Sequence, residues 1–216
     1  MKKALGPLRS GGFFFYPLGS MRRLFLLSIL LTLVSCRTSV GDAVGGVERS
    51  LNAFSAAFQT VSAGLAVAFT QGAVAGELVR YQHTLFCDPE GSASIDEKLN
   101  EGAFDGTFLI EADLDECNGV GGEMSALGSF ARAPEGLLLQ WVYEGVVRSG
   151  PCDVALADLS VASSGQEVPA ASLVTGELTA TCTGASPASI RCSWNQVSVL
   201  AREELLAACS CTGPGC

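Results

Sequence analysis

The chain has 216 residues, with 13 lysines and arginines against 22 aspartates and glutamates, one histidine and nine cysteines, for a formal net charge of −9. At 48% hydrophobic and 16% charged, it excludes wholesale disorder, and its acidic balance excludes a basic nucleic-acid-binding surface. Residues 1–20, "MKKALGPLRSGGFFFYPLGS", are broken by Pro and Gly and read as a non-native N-terminal extension ahead of a start at Met21. The other reading is a long leader with Lys2, Lys3 and Arg9 as extra charges. Residues 21–35 read as a signal peptide. Met21, Arg22 and Arg23 open it, and the uncharged run Leu24–Val34 follows, too short to span a bilayer as a helix.

The run ends in Leu33, Val34, Ser35 and Cys36. This tetrad, placed after a basic and then an apolar segment, resembles the lipobox of the bacterial lipoprotein class. The resemblance covers the first 36 residues. It implies cleavage before Cys36, a diacylglycerol thioether on its sulfur and an acyl group on the new amine. Two or more acyl chains hold a protein firmly to a membrane, where one does not. Arg37 stands where Asp marks inner-membrane retention in that class, so the resemblance implies the outer membrane of a Gram-negative envelope. The rival is an ordinary secreted protein whose signal happens to end near a cysteine. Removing residues 1–35 leaves 181 residues with 8 basic and 22 acidic side chains, a net charge of −14. Such a surface repels anionic headgroups, so attachment would come from the lipid on Cys36 and not from a basic patch.

Residues 36–43 read as a tether and 44–216 as a single domain. Val44, Val47, Leu51, Phe54, Phe58, Val61, Leu65 and Ala68 recur at spacings of three and four, with Glu48, Arg49, Asn52, Ser55, Gln59 and Ser62 between them. This pattern predicts an amphipathic helix over about 44–78, which Gly64, Gly72 and Gly76 weaken toward its end. Docking on the domain's own sheet is favoured over a coiled coil or a membrane-surface helix, whose polar face would carry Lys and Arg. From about 82 to 200 the period changes to two. Phe108, Ile110, Ala112 and Leu114 alternate with Glu111, Asp113 and Asp115. Further strands are predicted at about 122–131, 136–147, 152–162, 173–183 and 189–200, between turn clusters such as "CNGVGG" and "SGPC". Ala201–Ala208 reads as a short helix opening a Cys-rich tail, 201–216. The fold class is therefore α+β: an N-terminal amphipathic helix packed on an antiparallel β-meander, as a sandwich or partial barrel, stapled by disulfides. An internal echo pairs Gly122-Glu123-Met124-Ser125-Ala126 with Gly176-Glu177-Leu178-Thr179-Ala180, followed by Trp141 and Trp194 respectively. The Cys- and Gly-punctuated strands are also similar to β-rich bodies of uncharacterised bacterial lipoproteins, a likeness that implies no function.

Apart from Cys36, eight cysteines remain: Cys87, Cys117, Cys152, Cys182, Cys192, Cys209, Cys211 and Cys216. An even number in an exported chain predicts four disulfides. "TATCTGASPASIRCSW" reads as a hairpin with Cys182 and Cys192 bridged directly across it. The rival is that each reaches the C-terminal trio, which needs partners of its own. His83 is the only histidine, and no nucleophile elbow accompanies it, so no catalytic residue is assigned. "EADLDECNG" fails as an EF-hand from Asp113, because Cys117, Asn118 and Met124 occupy positions 5, 6 and 12. No metal site and no cofactor are expected. The expected function is a non-enzymatic, lipid-anchored structural or binding module. Its partners are the membrane through Cys36 and an envelope protein or apolar ligand, with no nucleic acid. The alternatives are a carrier of apolar ligand held between helix and sheet and, ranked below it, a hydrolase with an unrecognised site.

Overall fold

The computed structural model describes residues 45–71, 78–87, 90–101, 105–133, 136–165, 171–184 and 187–214. The signal segment, Cys36, the whole tether, Val44 and Cys216 lie outside the described residues. The apolar period of three and four forms helix α1, Gly46–Gln71. The described helix ends at Gln71, short of the expected 78, and Leu78 already belongs to a strand. Nine strands follow: β1 (Leu78–Phe86), β2 (Ser92–Glu101), β3 (Asp105–Cys117), β4 (Val120–Ala133), β5 (Gly136–Ser149), β6 (Cys152–Gly165), β7 (Ala171–Cys182), β8 (Ala188–Ser198) and β9 (Cys209–Thr212). A short helix α2, Arg202–Ala207, separates the last two.

The strands make one open antiparallel sheet in sequence order, each paired with the next. The expected sandwich is replaced by this single sheet. α1 contacts all nine strands. Nine strands laid flat would be roughly 38 Å wide at the usual spacing, against a helix about 10 Å across. The sheet must therefore curve around the helix. Alternation supplies the inner face: Phe108, Ile110, Ala112 and Leu114 of β3 are buried while Glu111, Asp113 and Asp115 are exposed. Leu139, Trp141, Tyr143 and Val147 do the same for β5, and Ile190, Cys192 and Trp194 for β8.

Against this face α1 buries Leu51, Phe54, Phe58, Val61, Leu65 and Ala68. The rings interlock. Phe54 lies 5.2 Å from Trp194 and 6.4 Å from Tyr143, and Phe58 stacks on Trp141 at 6.0 Å. Each large side chain so buried contributes roughly 1.5–3 kcal/mol. α1 is long and apolar enough to cross a membrane, yet two thirds of it is buried inside the domain. α2 closes the far side by placing Leu205 in the core, and the Leu205 carbonyl accepts the Trp194 indole N–H at 3.1 Å.

Two glycines permit the curvature and the turns. Asn118 and Gly119, both at positive φ, make the two-residue turn between β3 and β4. Gly176, at φ +124°, sits where the β7 register slips against β6 and β8, and a Cβ there would collide with the Asp158 carbonyl oxygen. Trp141 and Trp194 of the internal echo are both buried, and the echoed Gly122 and Gly176 both take positive φ.

Three disulfides join Cys87 to Cys117, Cys152 to Cys182, and Cys192 to Cys209. Cys211 is also disulfide-bonded. The expected Cys182–Cys192 bridge does not form. The β7–β8 hairpin is tighter than expected, so Cys182 faces Ala188 and Cys192 faces Leu178. Each cysteine instead meets a direct cross-strand partner, Cys182 with Cys152 and Cys192 with Cys209. A register shift by an even number of residues keeps every side chain on its face, so facial pattern alone does not separate the two pairings. Non-reduced peptide mapping is expected to recover the Cys152–Cys182 and Cys192–Cys209 linked peptides; a Cys182–Cys192 peptide would contradict this register. Gly176→Ala should cost at least about 2 kcal/mol more than Gly119→Ala in urea unfolding, because both sites are strained at positive φ but only Gly176 has backbone in the way.

Candidate functional site

Cys87, Cys117, Cys152, Cys182, Cys192, Cys209 and Cys211 are all bridged. None is a nucleophile or a metal ligand in this state. Cys36 lies outside the described residues, so the lipid site rests on its sequence context alone.

On the outer face of the sheet, β1 to β5 form an open groove of about 1050 Å³. Alternation aims Asp96, Glu111, Asp113, Glu123 and Glu144 into it. Asp113 and Glu123 are directly opposite one another across β3 and β4, an arrangement of like charges that lowers sheet stability. Arg80 pairs with Asp96 and Lys98 with Glu111, the latter at 2.7 Å. The Asp96 carboxyl is held below its ordinary range by its hydrogen bond to Arg80. These pairs are exposed and add little to stability. Among the described residues no group of three or more His, Cys, Asp and Glu is placed to hold a metal ion.

Among the described titratable groups that face inward are His83 and Glu97. His83, on β1 opposite Ile95, is half-buried, and neither ring nitrogen has a hydrogen-bond partner among the described residues. Burial lowers its pKa, favouring the neutral ring. No base, nucleophile or orienting carboxylate engages it, so the structure brings no triad together.

Glu97 is the residue that sequence reasoning missed. The inward set of β2 is Ala93, Ile95, Glu97 and Leu99, and Glu97 is 0% exposed. It pairs with Tyr81 on β1 and Ile110 on β3. A Cβ on Gly64 of α1 would lie 3.7 Å from its Oε2 and 3.2 Å from the Ile110 Cδ1. Neither carboxylate oxygen has a hydrogen-bond partner. Some buried hydroxyls are placed differently: Ser50 and Thr60 each donate to a carbonyl four residues back in α1 at 2.9 Å, and Ser172 donates to Ser163 at 3.0 Å, whereas the Ser62 and Tyr143 hydroxyls share the lack of a partner among the described residues. Burial alone pushes the Glu97 carboxyl up to about 7. The signal was present in "ASIDEKL", where Ala93, Ile95 and Leu99 set the parity that turns Glu97 inward, but no strand was assigned there.

A carboxyl whose folded pKa lies above its unfolded one binds its proton more tightly when folded. Its contribution is complete below the unfolded value near 4.5 and is lost as pH rises toward about 7. In urea unfolding, wild type is therefore expected to lose up to about 3 kcal/mol between pH 5 and 8 that Glu97→Gln does not lose. Parallel pH profiles for the two proteins would contradict the buried, partnerless carboxyl. In comparisons with protein families, with curated proteins and with solved structures, the chain matches none.

Proposed function

We propose that the protein is a lipid-anchored component of the bacterial envelope, held through Cys36, and that its domain serves as a non-enzymatic structural or binding module. The observation that carries the second half of this reading is the filled interface between α1 and the sheet. A carrier of apolar ligand would keep space there. Phe54, Phe58, Trp141, Tyr143 and Trp194 instead pack against one another in that layer. The concavities at hand are shallow and lie on the outside, the acidic groove over β1–β5 and a second, of about 840 Å³, over β3–β7 beside Leu138 and Leu173. Both present a surface to a macromolecule more readily than they enclose a small substrate.

The bridged cysteines support the first half. Disulfides persist in oxidising compartments such as the periplasm and cell surface, which agrees with export through the signal read at 21–35. The partial-barrel form of the sheet belongs to the same reading: a curved sheet closed by its own helix is a rigid body suited to being presented from a tether. His83, the one residue on which a hydrolase with an unrecognised site would depend, has no hydrogen-bond partner to poise it.

Cys36→Ala is expected to move the protein from the membrane fraction to the soluble fraction after export. Wild type should stay with membranes through high salt and be released by detergent. A Cys36→Ala protein that still sediments with membranes in high salt would refute the lipid anchor.

A further inference from the structure

The sheet has two edges. One is β9, four residues long, and short edges are a common protection against unwanted pairing. The other is β1, nine residues long, with no proline and no bulge in its ladder to β2. Among the described residues nothing pairs with its outer side. Its one charged residue, Arg80, is already ion-paired with Asp96 of its own sheet. A regular edge of this length, whose single charge is already paired within its own sheet, is a template for another strand.

We infer that the outer edge of β1 pairs antiparallel with β1 of a second copy of this chain, about a two-fold axis through Gln82. The residue pattern is self-complementary about that point. In "LVRYQHTLF" the register sets Gln82 opposite Gln82, Tyr81 opposite His83, Arg80 opposite Thr84, and Val79 opposite Leu85. Even sums of paired numbers keep inner faces on one side, and only this register matches all nine residues to all nine. Val79, Tyr81, His83 and Leu85 are each only half-buried on the inner face, where the sheet stops beside them. A second β1 would cover that open flank with its own Leu85, His83, Tyr81 and Val79. It would also bring a tyrosine hydroxyl toward the imidazole whose two nitrogens lack partners. No like charges meet across the seam, although the chain carries a net charge of −9. A second copy therefore meets no electrostatic barrier at this edge that it would meet at the acidic groove.

The purified protein should show a monomer–dimer equilibrium in sedimentation equilibrium. Thr84→Lys sets a lysine opposite Arg80 of the other copy, and Thr84→Glu sets a carboxylate there. Each pair occurs twice by symmetry. The first should weaken the dimer and the second tighten it, each by roughly tenfold. Both substitutions lie on the exposed outer face, opposite Ser94 in their own sheet, and leave the core untouched. Gln82→Cys should oxidise to a disulfide-linked dimer, whereas Thr84→Cys, displaced from its own symmetry mate by four residues, should not. A single monomer mass at every concentration would overturn the inference. So would a dimer indifferent to the charge at position 84, or cross-linking through position 84 as efficient as through 82.

Discussion

One helix is enclosed by one sheet, and most of what the chain does follows from that enclosure. A helix docked on a flat sheet needs a single apolar stripe. A helix touched by nine strands needs to be apolar or small over most of its circumference. α1 meets this with two kinds of residue. Large side chains (Leu51, Phe54, Phe58, Leu65) fill the deep side, and Ala53, Ala56, Ala57 and Gly64 let strands approach on the flanks. Across the sheet the same trade appears between neighbouring strands: Phe108 of β3 lies over Gly128 of β4, and Phe130 of β4 lies over Gly106 of β3. Glycine in a strand interior costs stability. Here each such glycine is covered by a ring from the partner strand, so the ring fills the space that a side chain would otherwise contest.

Enclosure also explains why Glu97 is exceptional. Among the described carboxyls it is the buried one. In the same dry layer Ser50 and Thr60 find partners by bonding back along α1, while the Ser62 and Tyr143 hydroxyls and the Trp141 indole N–H, like Glu97, have none among the described residues. A carboxyl on a strand has no such recourse, because its backbone neighbours are committed to the sheet ladder. Its position beside Gly64, where α1 has no side chain, gives it room but no donor. Burial therefore favours its neutral form up to about pH 7, and β2 sets beside α1 a residue whose charge state responds to pH.

The elements that could be read from the sequence were those whose period was long and unbroken. α1 showed itself through eight apolar positions, β3 through strict alternation, and the β3–β4 turn through Asn118-Gly119. The ends were harder. β1 and β2 were hidden because "SASIDEKLNE" carries four charges and one inward glutamate, so its alternation is masked at the position that matters most. β9 was hidden because four residues with two cysteines show no period at all. The disulfide pairing failed for a different reason. Facial parity constrains which side of a sheet a cysteine occupies, not which of several even-numbered registers its strand adopts. In an up-and-down meander every inner strand also has two neighbours, and Cys182 faced β6 as readily as β8. A bridge is fixed by the register adopted, which here sets Cys182 opposite Ala188.

The bridges are unevenly placed, and that bears on the anchored reading. β1, β3, β5 and β7 end at one rim, where β2, β4, β6 and β8 begin. Cys87–Cys117 and Cys152–Cys182 both lie on it. So does the start of α1: Gly46 lies against Ile190 and the Cys182 sulfur, and Gly150 of the β5–β6 turn lies against Arg49. α1 begins at this rim, and the segment from Cys36 precedes it in the chain. Were that segment fixed to a membrane, any pull on the domain would be delivered to the first turn of α1 and from there to β7 and β8. Cross-links at that end resist opening of the sheet where the load enters, since they limit the chain freedom that unfolding there would gain. The enclosed helix and the bonded rim then act together. α1 is held along its length by packing and at its first turn by strands that are covalently joined.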